Sequence, residues 1–137
     1  MDAQRIAIAE ECLAASYAAT KDFPSIVRSL IGAGFEGYTV DFRRGTVTYY
    51  LPSGDSVELA SPRGSSHAES KVAAEFKAGV VEGAVREAQT NAPGYTYQGF
   101  CEKVKAAGCA GYLVSFLGKR VVYFGRSAET HVEHFPQ

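Results

Sequence analysis

The sequence predicts an α+β fold built from two pseudo-symmetric helix-helix-three-strand units, an antiparallel sheet with helices packed on one face. Three observations predict it. Shifted by 74 positions, residues 23–59 lie on residues 97–133 without a gap. Nine pairs are then identical: Ala33/Ala107, Gly34/Gly108, Gly37/Gly111, Tyr38/Tyr112, Val40/Val114, Phe42/Phe116, Val47/Val121, Tyr49/Tyr123 and Ser53/Ser127. Ordinary composition would supply about two. Apolar residues at helical spacing open each copy, and alternation at strand spacing follows. The 137 residues are expected to form one domain with an internal duplication, copy one about 1–60 and copy two about 71–136, joined by a loop at 61–70.

The elements follow in chain order. A first helix is expected from about residue 3 to 20, with Ile6, Leu13 and Tyr17 near one face and many alanines. A second spans about 23–33, where Phe23, Ile26, Val27 and Leu30 repeat at 0, 3, 4 and 7. Asp22 precedes it as a cap, and Gly34 follows where a left-handed residue is wanted. Strands follow: Tyr38, Val40 and Phe42 alternate with polar neighbours, Arg43-Arg44-Gly45 turns, Thr46–Leu51 returns, and Ser56–Ala60 is third.

After the polar stretch 61–70, expected to be the mobile segment, copy two starts with a helix at about 76–90. Phe76, Val80, Val81, Ala84 and Val85 form its stripe. Gly79 and Gly83 sit in that stripe, and their cost in a helix predicts a close approach of sheet or helix there. A helix at about 97–107 matches the second helix, with Thr96 for Asp22 and Gly108 for Gly34. Strands at Tyr112–Phe116, Arg120–Phe124 and Thr130–Phe135 complete the copy. The third strands match least: Val57 and Leu59 lie on His131 and Glu133, which predicts a slipped register or a differently exposed face.

Composition narrows the function classes. Fourteen basic and fifteen acidic residues give a net charge of −1, which disfavours a nucleic-acid coat or an anionic-membrane binder. The start, Met1 to Arg5, leads into Glu10 and Glu11 instead of an unbroken apolar run, and no membrane-length stretch follows. Cys12, Cys101 and Cys109 form no CxxC pair. A cytoplasmic protein with reduced thiols, no membrane contact and no cofactor is expected.

The runs Ala33-Gly34-Phe35-Glu36-Gly37-Tyr38 with Val47-Thr48-Tyr49-Tyr50, and Tyr97-Gln98-Gly99-Phe100-Cys101 with Ala107-Gly108-Cys109-Ala110-Gly111-Tyr112, are similar to those of domain-of-unknown-function family 1398. The resemblance runs from about residue 20 to the end. It implies a bacterial, prophage-associated protein, a class whose members sometimes carry the label "phage envelope protein". It supports the fold and implies no activity, cofactor or catalytic residue.

Candidate chemistry is sparse. Glu129, His131 and Glu133 would share one face of a strand and are the best divalent-metal set, against the plainer reading of a polar chain end, so no metal site is assigned. Cys101 and Cys109 lie on Val27 and Phe35, which predicts apolar, inert surroundings. Tyr38, Tyr49, Tyr112 and Tyr123 occupy the duplicated inward positions and read as core. The tips Arg43-Arg44 and Lys119-Arg120 could track phosphates, but charged turns are usually solvated and the basic excess is missing. Ile31-Gly32-Ala33-Gly34 ends a helix, the wrong end for phosphate.

No catalytic constellation appears, so the reading leans away from an enzyme and assigns no catalytic residue. The leading expectation is a non-enzymatic binding or protein-interaction module that self-associates or takes a protein partner. The alternative is a small-molecule-binding protein or enzyme with its pocket between the two repeats. Asp41, Arg44, Tyr50 and Tyr95 are its ligand-binding candidates, because they break or leave the duplicated pattern.

Overall fold

A computed structural model describes residues 1–62 and 71–136. The expected mobility of the 61–70 loop falls, for residues 63–70, outside the described residues. Each unit runs helix, helix, three strands. The first comprises α1 (Ala3–Ala18), α2 (Phe23–Gly32), β1 (Gly37–Asp41), β2 (Thr46–Tyr50) and β3 (Ser56–Ala60). The second comprises α3 (Ala78–Thr90), α4 (Tyr97–Ala106), β4 (Cys109–Ser115), β5 (Arg120–Gly125) and β6 (Thr130–His134). Among the described residues no helix is long and apolar enough to cross a membrane.

The strands form one six-stranded sheet in the order β3-β2-β1-β4-β5-β6, antiparallel throughout. The register explains the order. The central pair β1–β4 is centred on Thr39 opposite Leu113, and Tyr38↔Val114 is answered by Val40↔Tyr112. A two-fold operation through that centre exchanges the units. Glycine makes the close approach there. A Cβ on Gly37 would collide with the Val114 carbonyl oxygen, and one on Gly111 with that of Val40. Both glycines are therefore steric requirements of the central ladder.

The third strands keep this symmetry. Tyr49↔Val57 and Tyr123↔His131 are equivalent pairs, so no slip distinguishes them. The difference lies in which side chains face inward: Val57 and Leu59 in β3, His131 and Glu133 in β6.

The caps are local chemistry. Asp22 accepts a hydrogen bond from the Ser25 N–H, and Thr96 accepts one from that of Gly99. α1 packs on α2, α3 on α4, and α1 touches α4. The core lies between these helices and one sheet face, where Tyr38, Val40, Val47, Tyr49, Tyr112, Val114, Val121 and Tyr123 are buried.

Two expectations for α3 need correction. It starts at Ala78, not at 76, because the preceding segment straps the end of α4. The Ala73 N–H donates to the Lys105 carbonyl and the Lys77 N–H to that of Ala107, satisfying carbonyls that a helix end leaves open. No close approach occurs at Gly79 and Gly83 either. A Cβ on either meets nothing within 4 Å, since Val81, Ala84 and Val85 face the core and the glycines face solvent.

Candidate functional site

The helix pairs do not close over the sheet completely. Between α1–α2, α3–α4 and the inner sheet face lies a cleft of about 440 Å³, within the range of small-molecule sites. Both units build it: Tyr38 and Tyr49 from the first, Tyr112 and Tyr123 from the second, with Tyr95, Tyr97 and Phe100 from the α3–α4 connection and α4. The strand alternation that buries these rings also stacks them into one wall. Tyr38–Tyr49 and Tyr112–Tyr123 are equivalent pairs, each with ring centroids 5.3 Å apart, and Tyr38 meets Tyr112 across the central strands at 6.4 Å.

The phenol hydroxyls give this apolar wall its chemistry. Tyr97 and Tyr112 hydrogen-bond to each other at 2.5 Å. Tyr38, Tyr49 and Tyr123 are 7%, 3% and 6% exposed. Among the described residues no group hydrogen-bonds to their hydroxyls. A buried hydroxyl without a partner costs about 1–3 kcal/mol, so three on one wall call for polar groups from within the cleft. Burial pushes the pKa of all three well above the usual phenol range. Burial likewise pushes Tyr95 up to about 12. These phenols stay neutral near pH 7, able to donate or accept.

One carboxylate reaches this wall. Glu133, from β6, lines the cleft with its side chain 14% exposed. Its oxygens meet His131 Nε2 at 3.0 Å and the Arg86 guanidinium at 3.6 Å, and the Gln89 amide donates to it at 3.5 Å. Arg86 and Gln89 come from α3, which packs against β6, so the carboxylate is held from two elements.

The residues singled out from sequence do not gather. Asp41 closes the β1–β2 turn by accepting from the Arg43 and Arg44 N–H groups at 3.0 and 3.1 Å. Arg44 is exposed and lies 3.6 Å from Glu58. Tyr50 is exposed at the far end of β2 from that turn. Tyr95 alone of the four lines the cleft. Glu129 is exposed and accepts from the Ser127 hydroxyl at 2.7 Å, apart from the His131–Glu133 pair. Among the described residues no three His, Cys, Asp or Glu side chains form a group able to hold a metal ion. The two basic turns lie at opposite ends of the antiparallel β1–β4 pair, so they do not form one surface.

Cys12, Cys101 and Cys109 are buried and free. Burial pushes the Cys101 and Cys109 thiols up to about 12 and about 11, which leaves them unreactive as thiolates near neutrality.

Sequence reasoning missed that the duplicated tyrosines are core and cleft wall at once. A signal was present at Glu133. A charged residue at the position of Leu59, an inward apolar residue of the first unit, marks an inward acid.

Residues 13–133 match the family described as Protein of unknown function (DUF1398). No curated protein matches the chain.

Proposed function

The chain belongs to that family of unknown function, and from this premise we propose that it is a small-molecule-binding protein whose site is the tyrosine-walled cleft between its two units. One observation carries the reading: three buried tyrosines whose hydroxyls have no partner among the described residues line a cleft of about 440 Å³. An empty cavity is lined by hydrocarbon, whereas one with unpartnered polar groups takes up water or a ligand. This one is an apolar slot with a few placed polar groups, the usual composition of a ligand site. Among the described residues no nucleophile with an adjacent base lines it, and binding without chemistry is the simpler function.

Nile red, a neutral apolar fluorophore, tests it. The dye should bind the native protein with a blue-shifted emission. Ala88→Phe, which projects a ring into the cleft from α3, should abolish the signal while leaving the folded spectrum unchanged. A dye that ignores the native protein, or that binds the variant equally, removes the cleft reading.

A second reading rests on the opposite sheet face. Leu113, Val122 and Val132 form one cross-strand row there. Leu113 is 43% and Val132 41% exposed. A contiguous apolar row on an open sheet suits contact with a protein, including a second copy of the chain. The cleft reading ranks first because buried hydroxyls need a partner, whereas a row of three half-exposed apolar residues is ordinary for a protein surface. The prophage and envelope associations add nothing to either reading.

A further inference from the structure

The ligand's charge class can be read from the charged groups around the cleft, and the step rests on the cleft being a ligand site. Three ordinarily charged side chains line it: Lys21, Asp22 and Glu133. Lys21 and Asp22 are exposed at the mouth. Asp22 is occupied capping α2, and Lys21 Nζ lies 3.4 Å from the Ser29 hydroxyl. Glu133 is the charged group set into the wall, 14% exposed.

Its neighbours orient it without cancelling it. Arg86 is 60% exposed and divides between Glu82 at 3.2 Å and Glu133 at 3.6 Å. Two carboxylates sharing one guanidinium leave one negative charge. His131 bonds Glu133 at 3.0 Å, and His134, on the rim, is exposed. The aromatic rings add to the same sign, since a ring face carries negative potential and attracts a cation placed over it. Phenol oxygens accept hydrogen bonds from N–H donors. An anion would meet Glu133 and the aromatic wall, with Lys21 at the mouth as the one lysine among the described lining residues.

We infer that the cleft takes an organic cation: a protonated amine whose apolar body lies along the tyrosine wall and whose ammonium group sits within reach of Glu133. An ammonium group carries three donors, which phenol oxygens and the carboxylate can accept together. The body must be flat or slender, since the wall is made of ring faces and edges.

Three probes of one shape test this by calorimetry on the unaltered protein: phenethylamine (cation), phenethyl alcohol (neutral) and phenylacetate (anion). The amine should bind about tenfold or more tighter than the alcohol, the scale of a desolvated cation–π contact with an added carboxylate, and phenylacetate weakest. Glu133→Gln should weaken the amine severalfold more than the alcohol, leaving only the cation–π share of the preference. An alcohol equal to the amine, or tighter binding of phenylacetate, overturns the charge assignment and leaves the cleft intact as a site. If none of the three binds and Nile red also fails, the cleft reading falls with it.

Discussion

The two units share one backbone plan and dress it in opposite ways on their outer strands. In the first, the inward positions of β3 are Val57 and Leu59, and the solvent-face row is Thr39, Thr48 and Glu58. In the second, the inward positions of β6 are His131 and Glu133, and the equivalent row is Leu113, Val122 and Val132. Polarity has changed sides while register has not. An idle copy would keep an apolar inner face and a polar outer one, because that arrangement is the more stable. The second unit departs from it on both faces. On the proposed reading the second unit is where function concentrates, with the acid on the cleft side and the apolar row on the open side.

The largest expected effect tests how differently the units carry matched residues. Gly34 and Gly108 both end a helix with positive φ, +95° and +87°. A Cβ on Gly34 would meet only the Arg5 guanidinium, at 3.6 Å. One on Gly108 would run into the Glu75 carbonyl and sit 2.8 Å from Phe76 Cα, the strap that precedes α3. Gly34→Ala should cost about 1–2 kcal/mol from left-handed strain alone. Gly108→Ala should cost more than about 3 kcal/mol, because backbone cannot yield as a side chain does. Urea midpoints measure both. Equal losses would mean that the strap does not lie against Gly108.

Most of the fold was legible because its signals are local. Caps at Asp22 and Thr96, glycines at 34 and 108, and alternation from Tyr38 and Tyr112 each act within a few residues of themselves. The start of α3 was not legible, since the Lys77–Ala107 hydrogen bond joins segments thirty residues apart. The glycines of α3 misled for a related reason: a stripe of apolar spacing does not say which edge of it meets the core. The cleft was half legible. Tyr38, Tyr49, Tyr112 and Tyr123 were visible as inward residues, but a packed ring and a ring beside a cavity carry the same alternation. Asp41 and Arg44 stood out for breaking the repeat, and Asp41 serves a turn. The break at Glu133 read as a slipped register or a differently exposed face until the pairing placed it opposite Val121, next to the Tyr123–His131 pair.

An exchange on the open face sharpens the comparison next. Giving the second unit the first unit's residues, Leu113→Thr, Val122→Thr and Val132→Glu, removes the exposed apolar row while keeping strand-compatible side chains. If that row holds two copies together, sedimentation should show dimer for the native chain and monomer for the triple variant, with Nile red binding unaltered. A native chain that is monomeric at high micromolar concentration, or a variant that stays dimeric, eliminates the row as a self-association surface.

The smallest effect concerns the thiols. Cys101 and Cys109 stand where the first unit has Val27 and Phe35, so at those two places only the second unit titrates. Burial raises both, to about 12 and about 11 from an ordinary 9.0, and raises Cys12 as well. A raised acid favours the protonated folded form. Its contribution is whole below pH 9 and declines above it, as the unfolded chain ionises while the folded chain holds its protons, until the folded value is passed. The thiols should therefore make stability in urea fall as pH rises through about 9, and the tyrosines of the unfolded chain should add their own loss as pH rises through about 10. Cys101→Val, which installs the first unit's residue, removes one of the three buried thiols. It should reduce the slope between pH 9 and 10 by about a fifth, because the buried tyrosines share that window with the thiols, with little change at pH 7 beyond the loss of the thiol's contacts. A variant whose slope matches the native chain would show that Cys101 ionises as readily folded as unfolded, which a fully buried thiol cannot do.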